Sequence, residues 1–287
     1  MQTILVPVDM SPTSAAALGF ATYLALSLDM GLRIVHVFDP LEEAAYTLFA
    51  DERSDEKRRL ERELDGFCRR ATEPVLAAFR ERTRIPPALR TEVVEGLPAA
   101  TITGLSQREE YALIVMGGVG TGAGTRPPGI FGSVARNVAT QSAAPVILLP
   151  ATFRFAAVER IAVALERPEE LREKDAFLQK LVGDLHCEVR YVHVREAEAE
   201  PAWVEEGRID LLPPGRVVPS LLAYARESRI DLLVLTRRKR SFFAQLFHDD
   251  HLGPLVRRSK VPVLVMPPRE TVHGIKEVAE GADEDHP

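Results

Sequence analysis

The run Met116-Gly117-Gly118-Val119-Gly120-Thr121-Gly122-Ala123-Gly124-Thr125 places five glycines in positions 117–124, and Gly132-Ser133-Val134 follows it. Glycine has no Cβ, so a chain of this kind can bring its amides against an anionic group. The run starts at the end of an apolar, strand-like segment. It ends where a helical pattern begins, over 134–141. In an open α/β sheet, ligands bind at such a place, beyond the carboxyl ends of the strands where strand order reverses. The amides at the Gly132-Ser133 helix start can receive anionic oxygens, aided by the helix dipole. The Ser133 hydroxyl offers one more hydrogen bond. The chemistry is therefore the holding of a phosphate. A glycine-rich turn with no ligand is the simpler alternative, but five glycines exceed what a turn requires. Asp9, which closes the first apolar run, would on its own be an acid satisfied by helix-start amides; its position fits the same site.

The sequence offers no catalytic constellation. It lacks a G-x4-G-K-[ST] loop, and no lysine adjoins the glycine run. His36 and His193 fall in apolar, strand-like segments, where packing or a bond to a carbonyl is the expected role. His248-Asp249-Asp250-His251 resembles a metal cluster, but a structural zinc needs four ligands and no second cluster appears. A surface helix cap is the better reading. Arg237-Arg238-Lys239-Arg240, followed by Phe242 and Phe243, could bind an anion and reads as a solvated loop. Cys68 and Cys187 form neither a disulfide framework nor a metal spacing. We expect no enzyme and no metal site.

The elements that must position these residues occur twice. Ile4-Leu5-Val6-Pro7-Val8-Asp9 recurs as Ile161-Ala162-Val163-Ala164-Leu165-Glu166, and Val35-His36-Val37 recurs as Val192-His193-Val194, both 157 positions later. Gly96 matches Gly215 and Ile114-Val115-Met116 matches Leu233-Val234-Leu235, both 119 later, and 144–150 matches 261–267, 117 later. The second copy therefore lacks 38 residues between Val37 and Gly96, and two more after Met116. In copy one, short and continuously apolar runs at about 3–8, 32–37, 90–95, 112–116 and 145–149 read as parallel strands buried on both faces. Ser11-Pro12 starts a helix that runs to Leu28 and stops before Gly31. The stretch 52–84 is a charged amphipathic helix with Leu60, Leu64, Phe67, Val75, Leu76 and Phe79 as its apolar positions. Copy two has only 195–208 there, so we expect a reduced domain with an uncovered sheet face. The expected division is 1–152, 153–268 and an acidic tail, 269–287.

The net charge of −6 divides evenly between the halves, which disfavours nucleic acid. The first residues contain no basic and apolar leader, and no apolar run has membrane length. A cytoplasmic protein without a membrane partner is the expectation.

The chain resembles the universal stress protein family in its tandem form, through Gly117-x2-Gly120, Gly132-Ser133 and Asp9. The family pattern is G-x2-G-x9-G-[ST]. Here the spacer 121–131 has eleven residues, a shift of register onto Gly122 would restore nine, and Val119 stands where the family often has histidine. The resemblance covers both copies. It implies two tandem open parallel-sheet, Rossmann-like domains of strand order 3-2-1-4-5, the second reduced. It implies ATP as the ligand, with magnesium as its one conceivable companion. Asp9 would meet the ribose, and Pro7, Val8 and Val37 would line the adenine pocket beside Met116. Gly117, Gly120, Gly132, Ser133 and Val134 would wrap the phosphates. The resemblance also implies that the strands at Val146–Leu149 and Val263–Met266 pair within the chain, leaving a further homodimer open. In copy two, Arg237-Arg238-Lys239 and Asp249-Asp250 replace the glycines and Gly-Ser, and Glu166 replaces the aspartate, so ATP is expected in copy one alone. The functional expectation is an ATP-binding stress or signalling module with an unidentified protein partner. The alternatives are a scaffold without nucleotide and a slow ATP hydrolase.

Overall fold

A computed structural model of the chain describes residues 2–39, 50–80, 87–118, 132–166, 175–195, 209–237 and 252–268, the side chains of 50–53 excepted. Its first half runs β1 (Thr3–Pro7), α1 (Pro12–Leu28), β2 (Gly31–Phe38), α2 (Ala50–Phe79), β3 (Leu89–Glu95), α3 (Pro98–Leu105), β4 (Tyr111–Gly117), α4 (Ser133–Gln141) and β5 (Val146–Leu149). The second runs β6 (Arg160–Leu165), α5 (Ala176–Leu185), β7 (Glu188–Val194), β8 (Ile209–Leu212), α6 (Val217–Glu227), β9 (Leu232–Thr236), α7 (Leu252–Arg258) and β10 (Val263–Met266).

All ten strands form one sheet, in the order β3-β2-β1-β4-β5-β10-β9-β6-β7-β8. Each half has the expected order, and the halves meet through their last strands. That one contact is antiparallel, with Val263 opposite Leu148, Leu264 opposite Ile147 and Val265 opposite Val146; the other pairings are parallel. Every residue of β5 and β10 is buried. An apolar strand left at a sheet edge would expose its unpaired amides and carbonyls as a template for aggregation. Mutual pairing removes both edges at once.

Local sequence sets the helix ends. Ser11 Oγ accepts the amide of Ser14 at 3.1 Å, and Pro12 takes the first helical position. At the far end the left-handed residue is Asp29, with φ +52°, and not the glycine that follows; Gly31 opens β2. Aspartate tolerates this conformation better than most residues. The amphipathic helix α2 ends at Phe79, short of the expected 84. Leu60, Leu64 and Phe67 are buried, and Val75 and Phe79 pack against the same core.

Alternate strand residues face two cores. On side one the sheet packs against α1, α2 and α5, and on side two against α3, α4, α6 and α7. The linker after β5 lies on α1. Phe153 meets Phe20 edge-on at 5.4 Å, Phe155 meets Tyr23 at 5.6 Å, and the Val158 amide donates to the Tyr23 hydroxyl at 3.1 Å. The linker is thus packed onto the first half, and the sheet joins the two halves through β5 and β10. Beside the reduced second half, Val189 and Tyr191 reach the side-one core, whereas Leu211 on β8 is 38% exposed. The segment 196–208, where a substitute for α2 would lie, is outside the described residues, as is the tail 269–287. Among the described residues no helix is long and apolar enough to cross a membrane.

The repeat persists in side-chain detail. His36 Nδ1 donates to the Val8 carbonyl at 2.9 Å, and His193 Nδ1 donates to that of Leu165 at 3.0 Å. A carbonyl can only accept, which fixes the donor. Both histidines thus satisfy a backbone carbonyl, as expected.

If the joined strands are the structural centre, Leu264→Ala should cost about 2–5 kcal/mol of unfolding free energy. Urea denaturation measures this, and a loss below about 1 kcal/mol would contradict the assignment.

Candidate functional site

Strand order determines where a ligand can enter. β1 lies between β2 and β4. From β1 the chain passes to α1 on side one, and from β4 it passes to α4 on side two. The two connections diverge and leave a crevice above the adjacent ends of β1 and β4. Asp9 follows β1 and Gly117 ends β4, so the topology brings these two candidates together.

Each has a structural duty as well. Asp9 is exposed, and its Oδ1 accepts the Ser11 amide at 3.1 Å across the left-handed Met10, φ +57°. Gly117 lies under the first turn of α1. A Cβ added there would stand 2.9 Å from Thr13 Cγ2 and 3.3 Å from Thr13 Cβ. The glycine admits α1 to the end of β4, whatever its role toward a ligand.

The glycine loop has a closed neck. The Gly118 amide donates to the Leu149 carbonyl at 2.7 Å, and the Gly118 carbonyl accepts the Gly132 amide at 3.0 Å. The chain leaving β4 and the chain entering α4 are therefore joined at the base of the loop. This also corrects an expectation: the Gly132 amide is spent on the neck and does not face an anion. The first intrahelical bond runs from the Arg136 amide to the Gly132 carbonyl at 3.0 Å. The amides of Ser133, Val134 and Ala135 precede it and have no partner within the helix. The α4 start has no side-chain cap and no acid in its first turn. Ser133 is exposed, and Val134 packs against the side-two core. Gly120 and the rest of 119–131 lie outside the described residues.

The residues expected around the base divide between two faces. Val37 and Met116 belong to the side-two core, and Pro7 is in register with Val35 of that core. These three share the α4 side. Val8 belongs to the side-one core, and its amide donates to Val35 O at 2.9 Å. Its side chain does not join the other three, because alternation along the strand sends neighbours to opposite faces.

The second half carries different side chains at the corresponding points described. Glu166 stands half-buried at the counterpart of Asp9. Arg237 stands at the counterpart of Gly118. Its amide makes the equivalent bond, to the Met266 carbonyl at 2.9 Å. Its guanidinium crosses into the first half and donates to Ala139 O at 2.9 Å and Ser142 O at 2.7 Å, at the end of α4. This corrects the solvated-loop expectation for Arg237. Burial pulls its pKa down to about 10, which leaves it charged at neutral pH. The target lies 95 and 98 positions away, beyond the reach of any local signal. Residues 238–251, with Asp249-Asp250 and both nearby histidines, lie outside the described residues.

Neither thiol is poised as a nucleophile. Burial pushes Cys68 up to about 12 and also raises Cys187. Among the described residues there is no group of three or more metal-ligating side chains.

The contact at Gly117 predicts that Gly117→Ala destabilises the fold by about 1–3 kcal/mol, and that adding Thr13→Ala recovers part of the loss. Thermal denaturation of the double-mutant cycle measures it; strictly additive effects would count against the contact.

The model of the universal stress protein family matches residues 1–150 and 162–267. A universal stress protein from Archaeoglobus fulgidus superposes with TM-score 0.60 at 18% identity, over 92% of this chain and 98% of that one. A putative universal stress protein from Pseudomonas aeruginosa gives TM-score 0.54 at 10% identity, over 94% of this chain and 95% of that one. No curated protein matches the chain. At these identities the structures speak for the fold, and the family match rests on the sequence of both halves: the chain belongs to the universal stress protein family, in tandem form.

Proposed function

We propose that the protein is a nucleotide-responsive stress or signalling module that binds ATP in its first half. The observation carrying this reading is the closed neck Gly118–Gly132, which leads into an acid-free, uncapped helix start beside the crevice shared with Asp9. Phosphate oxygens would take the amides of Ser133 and Val134 and the Ser133 hydroxyl, where the helix dipole favours negative charge. Gly117 and Gly120 would allow close approach of the loop. Asp9 would accept from the ribose hydroxyls. Pro7, Val37 and Met116 would offer apolar surface to the base. Any magnesium would arrive with the nucleotide. No residue is assigned as a general base, so the ligand is held and not turned over.

In the second half we propose no family-type nucleotide. The Arg237 guanidinium is committed to α4, and carboxylates at Asp249-Asp250 would repel phosphate at the position where Ser133 and Val134 would receive it in the first half.

Equilibrium dialysis of the full chain with ATP tests this. The wild type should retain one ATP per chain, and Gly132→Asp should weaken retention by about tenfold or more. A wild type that retains none at millimolar ATP would refute the proposal.

A further inference from the structure

The second half has an arginine where the first half begins its glycine loop, and the arginine is engaged. Arg237 donates to two carbonyls, Ala139 O and Ser142 O, in and beyond the last turn of α4. These belong to the carbonyls that a helix end leaves without intrahelical partners. A cation there also opposes the negative end of the helix dipole. The Arg237 backbone is fixed as well, by its bond to Met266 O on the neighbouring strand.

Among the described residues the contact has no charged counterpart in the other direction. Ser142 and Ser259 make the same turn: each hydroxyl donates to a carbonyl two residues on, at 2.8 and 2.6 Å, and accepts the amide of that residue at 3.1 Å. The position that corresponds to Arg237 is Gly118, which has no side chain to reach Ser259 O. A hydroxyl, Thr152 Oγ1, approaches Ser259 O at 3.5 Å. Among the described residues, therefore, the second half grips the first half's helix with a forked, charged contact, and the first half returns only a long hydroxyl bond.

We propose that Arg237 is a positioning residue: by gripping the carboxyl end of α4, the second half fixes the first-turn amides of that helix for phosphate. This rests on the nucleotide reading above. α4 has nine residues, so its two ends are about 13 Å apart along a rigid rod. At its start the Gly118–Gly132 neck ties it to the end of β4. With both ends held, Ser133 and Val134 present their amides in one orientation. With the far end released, the helix can tilt about the neck. The degenerate copy thus retains a purpose, which is to set the affinity of the intact one.

The test uses the full chain as wild type, Arg237→Met and Arg237→Lys. Calorimetry measures ATP and adenosine binding, and hydrogen exchange follows the α4 amides without ligand. Arg237→Met should weaken ATP about tenfold and leave adenosine within about twofold, because the clamp acts on the phosphate-binding amides. It should also speed exchange in the last turn of α4. Arg237→Lys keeps the charge but loses the forked contact, so it should fall between. If Arg237→Met does not fold, Arg237→Lys carries the same comparison. Equal losses for ATP and adenosine, or unchanged α4 exchange, would overturn the proposal. A wild type that binds no ATP would instead sink the nucleotide reading, and α4 exchange alone would then decide the clamp.

Discussion

The antiparallel pairing of β5 with β10 is the contact on which the rest of the molecule depends. It turns two five-stranded sheets into one and buries a strand that would otherwise be an edge in each half. Because β9 lies beside β10, the chain leaving β9 emerges two strands from β5. Only from there can Arg237 reach the end of α4. The link between halves is therefore polar as well as apolar, and it involves the same helix whose opposite end faces the candidate site.

At that site structure and binding make demands on the same residues. Gly117 must be small because Thr13 lies against it, Asp9 must hold the turn into α1, and Gly132 must close the loop neck. Each would be retained in a chain that bound nothing. The start of α4 is open to a ligand. A helix normally gains about 1 kcal/mol from a side-chain cap, and acids are favoured in its first turn. α4 has neither, and shares this with α3 and α6, but of the three only α4 starts at the glycine loop beside Asp9. An anionic ligand would supply the missing charge.

Much of this was legible in the sequence, because the repeat and the apolar periods are local signals summed over many residues. The strands of copy one fell within one or two positions of their observed ends, and Ser11-Pro12 marked the start of α1. The pairing of the last strands followed from resemblance and is present in register. The misses depended on geometry that spacing does not encode. The face of Val8 could have been found from the period-two alternation that places Val6 and Val8 together in the side-one core. The Gly132 amide looked free until the loop closed on Gly118. Arg237 sat in a basic run that looked solvated, and only the folded sheet brings it to Ser142.

The two copies of one fold are proposed to differ in function, the first alone holding nucleotide. Native mass spectrometry of the intact chain with ATP counts ligands directly. A single added nucleotide per chain, lost when Asp9 and Ser133 are both replaced by alanine, is the predicted result. Two bound nucleotides, or one that survives those replacements, would contradict it.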